Sequence, residues 1–166
     1  MKQSAALAMG VCLAVGARTA LHQALLVKFR SDVRKLNAGH PDGLLSAYHD
    51  DAVLRFHDGQ HRWAGTHRGK QAIGELLRNM VDAGLQGTIR EIWMGGPPWA
   101  LTLVARFDDE ATGPDGSVLY ENRAVLVVRT RWGRVIRQDD FYEDTSRIES
   151  FESRLRELGV PASARA

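Results

Sequence analysis

Only one cysteine, Cys12, occurs among the 166 residues, and it sits near the start, so the rest of the chain can form neither an internal disulfide nor a thiolate metal cluster. Prolines number only five and no internal repeat is visible, which excludes collagen-like and solenoid architectures. A surplus of one charge is missing too. The 22 basic residues face 20 acidic ones, and two of the basic ones, Lys2 and Arg18, precede the main body, which is left neutral. Nucleic acid demands a dominant basic field, so it is not expected as a partner. No apolar run is long enough to cross a bilayer: the stretch from Ala5 to Ala17 holds about thirteen residues, short of the roughly 20 required. No stable membrane span is expected.

What is present reads as one globular domain, with 44% apolar and 25% charged residues. The opening segment has the length of a signal-peptide core, with Lys2 ahead of it and small residues at Val15-Gly16-Ala17. Two other readings stand beside export: an Ala-rich extension and a shallow anchor. The division expected is an apolar extension or signal-like segment over 1–20, a domain over 21–158 and a flexible tail over 159–166. A cytoplasmic protein is expected, with an exported one as the alternative.

Within the domain, Leu21, Leu25, Leu26, Phe29, Val33 and Leu36 recur at helical spacing, and Asn37-Ala38-Gly39 closes the run. Pro41-Asp42-Gly43 introduces a short helix over 44–48. A strand over 52–56 follows, with a short return over 60–64. Ile73, Leu76, Leu77, Met80 and Val81 form one stripe of a second long helix. Three long strands are then predicted over 88–94, 99–108 and 118–131, divided by Pro97-Pro98 and Gly113-Pro114-Asp115-Gly116. Trp132-Gly133 marks a tight hairpin into a last strand over 134–143, and a helix from Thr145 carries Ile148, Phe151 and Leu155. Helices followed by mostly antiparallel strands give an α+β class: a curved sheet wrapped around helices, enclosing a conical cavity for a ligand.

Three phrases in this order resemble the nuclear transport factor 2-like superfamily, in particular its SnoaL-like and ketosteroid-isomerase-like members. They are Tyr48-His49-Asp50-Asp51-Ala52-Val53, Gly65-Thr66-His67-Arg68-Gly69-Lys70-Gln71-Ala72-Ile73, and Trp132-Gly133-Arg134-Val135-Ile136 with Asp140-Phe141-Tyr142-Glu143-Asp144-Thr145. The resemblance covers about Leu25 to Leu158 and implies the cystatin-like roll of that superfamily. It fixes no single activity, because the superfamily holds isomerases, cyclases, hydrolases, dehydratases and non-catalytic binders.

A two-residue loop at Trp132-Gly133 pairs Arg131 with Arg134, Val125 with Asp140 and Arg123 with Tyr142. Alternation then places Gln138, Asp140 and Tyr142 on one face with Arg123, Val125 and Val127. On that face an acid, a phenol and a guanidinium converge among apolar side chains. Burial raises a carboxylate pKa and a neighbouring arginine lowers it, so Asp140 is a candidate base near neutrality, with Arg123 and Tyr142 stabilising an enolate oxygen. The resemblance also places a catalytic acid before an aromatic in the last strand. The bland alternative is a buried Asp–Arg–Tyr network that orders the sheet.

Two departures narrow the comparison. Phe56 falls where ketosteroid isomerases carry their base, and Arg123-Ala124-Val125 lacks the second carboxylate of the Arg-x-Asp pattern in limonene-epoxide-hydrolase-like members. Tyr48, His57, Trp63, Val125, Val127 and Gln138 are candidates to shape the pocket. His57, His61 and His67 carry no spacing that fixes a metal site, so none is expected. The outer sheet face is apolar enough to need cover, and the resemblance implies a homodimer through it. The expected function is small-molecule binding with a cofactor-independent isomerase, cyclase or dehydratase step on a small apolar carbonyl compound. A non-catalytic ligand-binding or dimerisation module and an epoxide-hydrolase-like enzyme are the alternatives.

Overall fold

The computed structural model describes residues 2–162, with side chains from Thr19 onward. The sequence readings of the opening side chains and of the last four residues lie outside the described part. Four helices and six strands follow in the order α1 (Lys2–Asn37), α2 (Asp42–Leu45), β1 (Tyr48–Arg55), β2 (Thr66–Arg68), α3 (Gly69–Asp82), β3 (Gln86–Gly95), β4 (Thr102–Thr112), β5 (Val118–Arg131), β6 (Arg134–Tyr142) and α4 (Thr145–Glu157). The first helix starts upstream of the expected Leu21, in keeping with the high helix propensity of the Ala- and Leu-rich opening. The return strand expected over 60–64 is loop, and the antiparallel partner of β1 is Thr66–Arg68 instead.

The strands form one curled, unclosed sheet in the order β2-β1-β6-β5-β4-β3. All neighbours are antiparallel except β1 and β6, which run parallel. Helices cover the concave face. Leu54, Ile73, Leu76, Ile148, Phe151 and Leu155 pack into the larger core, and Val33, Leu103, Ala105, Phe107, Ala124 and Val128 form a second cluster beneath α1. The carboxyl end of α1 is stapled to the edge strand, because the Asn37 side chain mimics a backbone unit. Its Nδ2 donates to the Gly87 carbonyl at 3.0 Å, and its Oδ1 accepts from the Gly87 amide at 3.1 Å. At the other end of the sheet Arg62 is buried against Glu152 of α4, Nε to Oε2 at 2.8 Å, and donates to the Val160 and Pro161 carbonyls. One guanidinium thereby ties the 57–65 loop to the helix and the residues after it.

The hairpin between β5 and β6 forms as expected at its tip: Arg131 pairs with Arg134, and Trp132 and Gly133 take φ of 49° and 75°, the left-handed pair of a type I′ turn. Two residues further on the ladder slips. Thr130 pairs with Val135 but Arg129 pairs with Arg137, leaving Ile136 as the extra residue of a β-bulge. Every later pair is displaced by one, so Asp140 faces Leu126 and Tyr142 faces Ala124. This corrects the expected register. A one-residue slip exchanges the two faces of β5 relative to β6: Arg123, Val125 and Val127 lie on the convex side, and Ala124, Leu126 and Val128 turn inward.

Candidate functional site

Alternation on three neighbouring strands builds the polar part of a cavity under α1. Three inward rows cross the sheet: Ala105, Leu126 and Asp140; then Phe107, Ala124 and Tyr142; then Asp109 and Asn122. The tyrosine row therefore lies between the rows of the two carboxylates. The cavity has a volume of about 80 Å³ and apolar walls that include Val33, Leu54, Leu77, Phe107 and Leu126. Its polar lining comes from Asn37, Tyr48, Asp109, Gln138, Asp140 and Tyr142.

Gly87, opposite Asp109 on β3, makes room for one of these acids. A methyl group there would stand 3.2 Å from Asp109 Oδ1 and 3.2 Å from the Phe107 ring, tighter than ordinary contact. A donor chain orients the other. Tyr48 Oη donates to Gln138 Oε1 at 2.5 Å, and Gln138 Nε2 donates to Asp140 Oδ1 at 2.8 Å. The amide has one acceptor and one donor end, so its two neighbours fix both its orientation and the carboxylate it serves.

Among the described residues neither Asp109 nor Asp140 has an ion-pair partner, and burial sets their acidity. Asp140 is pushed up to about 7, by burial first, with the Gln138 hydrogen bond acting against it and the charges of Asp109 and Asp139 adding to it. Asp109 also rises to about 7, from burial and then from Asp108. Burial carries Tyr142 well above the ordinary phenol range, reinforced by Asp109 and Asp140; Tyr48 moves the same way through burial and the charge of Asp140. The site thus holds two carboxyl groups whose protons are retained towards neutral pH and two phenols that keep theirs above it. Such a set can take a proton at one oxygen while donating at others.

Of the residues singled out in the sequence, Asp140, Tyr142, Tyr48 and Gln138 meet in this cavity. Arg123 does not: it is on the convex side, with Glu143 at 3.3 Å and Asp108 at 3.8 Å. Val125 and Val127 are there with it, displaced by the bulge. Trp63 is no cavity wall but core, stacked on Phe151 with ring centres 5.7 Å apart. His57 lies outside the lining, its ring 6.0 Å from that of Tyr142 and its Nε2 3.1 Å from His61 Nε2. Burial lowers its pKa, against the pull of Glu149 and Asp58. Among the described residues no three His, Cys, Asp or Glu side chains are grouped to hold a metal ion.

The sequence reading missed Asp109. The signal was present in the alternation of β4, where Leu103, Ala105, Phe107, Asp109 and Ala111 all turn inward and one of the five is an acid.

Residues 30–138 match the family model described as a SnoaL-like domain. The chain belongs to the SnoaL-like family. Solved structures share the fold of this SnoaL-like chain at low identity. TerC, crystallised with polyporic acid, is 21% identical with a TM-score of 0.63, over 76% of this chain and 97% of that one. SalBIII, described as an epoxide hydrolase/cyclase-like enzyme in pyran ring formation in the polyether salinomycin, is 17% identical with a TM-score of 0.61, over 76% and 95%. A nuclear transport factor 2-like protein of unknown function from Burkholderia pseudomallei is 18% identical with a TM-score of 0.60, over 79% and 94%. No curated protein matches the chain by sequence.

Proposed function

We propose that this SnoaL-like chain is a cofactor-independent acid–base enzyme for a small, largely apolar carbonyl compound, with Asp140 as the base. The observation that carries the reading is a pair of buried carboxyl groups, both raised to about 7, in one apolar cavity without a compensating cation. A buried charge without a partner is costly, so the pair favours holding one proton. The ionised Asp140 removes a proton from the carbon next to the carbonyl, and the C–H electron pair moves into the new C–C double bond. The carbonyl oxygen gains charge and is met by Tyr142 and by the neutral acid of Asp109, which replaces the expected Arg123 as the second donor. Return of the proton to another carbon completes an isomerisation. Attack of the same enolate on a second carbonyl carbon, whose C–O π bond opens as its oxygen takes the proton from Asp140, completes a cyclisation, and expulsion of a β-hydroxyl that leaves as water with that proton completes a dehydration.

Asp109 also supports a second reading. Arg123-Ala124-Val125 on β5 lacks the acid of the Arg-x-Asp pattern, but β4 brings an inward carboxyl group, Asp109, to the cavity. A neutral acid that protonates an epoxide oxygen, beside an ionised acid that activates a hydroxyl nucleophile, would open or cyclise an epoxide, the chemistry named for SalBIII. Both readings need the same pair in opposite protonation states.

The test is proton exchange. Cyclic ketones and epoxy alcohols of up to about ten carbons are incubated with the protein in deuterium oxide and followed by NMR. Loss of the carbon-bound proton next to a carbonyl supports the first reading, and ring opening supports the second. Asp140→Asn is expected to lower either rate at least a hundredfold while the fold survives. Equal turnover by that variant contradicts both readings, and binding without turnover across the panel favours a ligand-binding module.

A further inference from the structure

The carboxylate cavity is smaller than the ligands a protein pocket usually encloses. Its volume of about 80 Å³ falls below the range of roughly 300–1,000 Å³ typical of small-molecule sites, enough for a reacting group and little more. Beside it a groove of about 420 Å³ runs between α1 and the inner ends of β4, β5 and β6. Phe29, Leu44, Tyr48 and Gln138 line both spaces, so a wall one side chain thick divides them. The groove is mostly apolar, with Leu25, Met94, Leu101, Leu103 and Val128 on its sides.

Its charged groups are three: Lys28, Asp32 and Arg134. Lys28 is bonded to Asp32 one helical turn away, so those two offset each other. Arg134 donates to the Ser46 carbonyl at 2.5 Å and has no carboxylate partner among the described residues. The groove therefore abuts the reaction cavity across a thin wall and offers an uncompensated guanidinium elsewhere.

We propose that the ligand is elongated and carries an anionic end group: its reacting part enters the carboxylate cavity, its apolar stem lies in the α1 groove, and its anion rests beside Arg134. This deepens the acid–base reading and rests on it only for which end reacts. The stem needs Phe29 to turn aside, which would join the two spaces into a volume of ordinary ligand size.

Straight-chain carboxylic acids of four to ten carbons, with the alcohols and amines of equal length, are titrated into the full chain by calorimetry at about pH 7.5. Affinity for the acids is expected to rise roughly threefold to fourfold per methylene, with the acid preferred to the alcohol and the amine weakest. Met94→Trp, which fills the groove, is expected to remove the gain with length; Leu25→Trp, on a helix face, serves should that variant not fold. Arg134→Gln is expected to weaken the acids at least threefold and leave the alcohols unchanged. No binding, an affinity independent of length, insensitivity to both groove-filling variants or equal binding of acid and alcohol would each overturn the proposal. If the groove variants behave as expected while Asp140→Asn keeps full exchange activity, the acid–base reading fails and the ligand shape stands.

Discussion

Asp140 and Asp109 place opposite demands on stability and on chemistry. A carboxyl group whose pKa is higher in the folded than in the unfolded chain binds more protons when folded, so folding loses stability as pH rises from the unfolded value near 4 to the folded value near 7. Above that window the cost is constant. Asp140→Asn keeps an acceptor for Gln138 and removes the charge. We expect it to match the parent in stability at about pH 4 and to exceed it by roughly 4 kcal/mol at pH 8, read from urea unfolding at the two pH values. A loss of stability at pH 8 would mean that the carboxylate is better solvated than its surroundings imply. Catalysis depends on the same protons: with one carboxyl required ionised and the other neutral, the turnover rate should be bell-shaped and centred near pH 7. A rate that climbs steadily past pH 9 would contradict the pairing.

These residues also show what could be read from the chain alone. Gln138, Asp140 and Tyr142 share a face because strand alternation is local and strict, and Tyr48 was available from its place at the head of a family phrase. Asp109 was legible in the same way, as the one acid in an inward apolar series on β4, but an acid near a turn reads as solvated until the opposite strand is known. Arg123 went to the wrong side for a different reason: its face depends on pairing between strands, and that pairing depends on a bulge.

At the scale of elements, the bulge at Ile136 decides the site. Nothing in Arg134-Val135-Ile136-Arg137 marks an extra residue, since bulges carry no fixed sequence signature apart from the glycine of one subtype. The long helices are clear by contrast, because their apolar stripes repeat over several turns: the stripe from Ile73 to Val81 lies within α3, and α4 starts at Thr145. Arg62 is a third kind of case. As a loop arginine it reads as a surface residue, yet it is buried between Glu152 and two backbone carbonyls. Arg62→Met leaves the Glu152 charge buried with Arg156 and the residue-62 amide as its remaining partners, and should cost about 3 kcal/mol in chemical denaturation. A cost below 1 kcal/mol would show that the 57–65 loop is held by other contacts.

Across the whole molecule, the concave face and the convex face carry different chemistry. The concave side holds the cavity and both hydrophobic clusters. The convex side mixes charge pairs, such as Arg90 with Asp108 at 2.7 Å, with exposed apolar groups, including Trp93 and Phe141, more than half exposed at 53% and 59%. We propose a homodimer through this face, since two large apolar groups beside the partly buried Val125 and Val127 form a patch that water disfavours. Phe141→Glu should then convert a dimer to a monomer in light scattering, and a parent chain that is monomeric at high micromolar concentration would refute the assembly. Among the described residues no helix is long and apolar enough to cross a membrane.

Carbon-13 NMR of the aspartate side-chain carboxyls measures, without any substrate, whether the two carboxyl groups of the cavity titrate near neutrality. Across pH 3 to 9 two signals are expected to titrate with midpoints near pH 7, one lost in Asp140→Asn and the other in Asp109→Asn. Midpoints below pH 5 for every aspartate would contradict it.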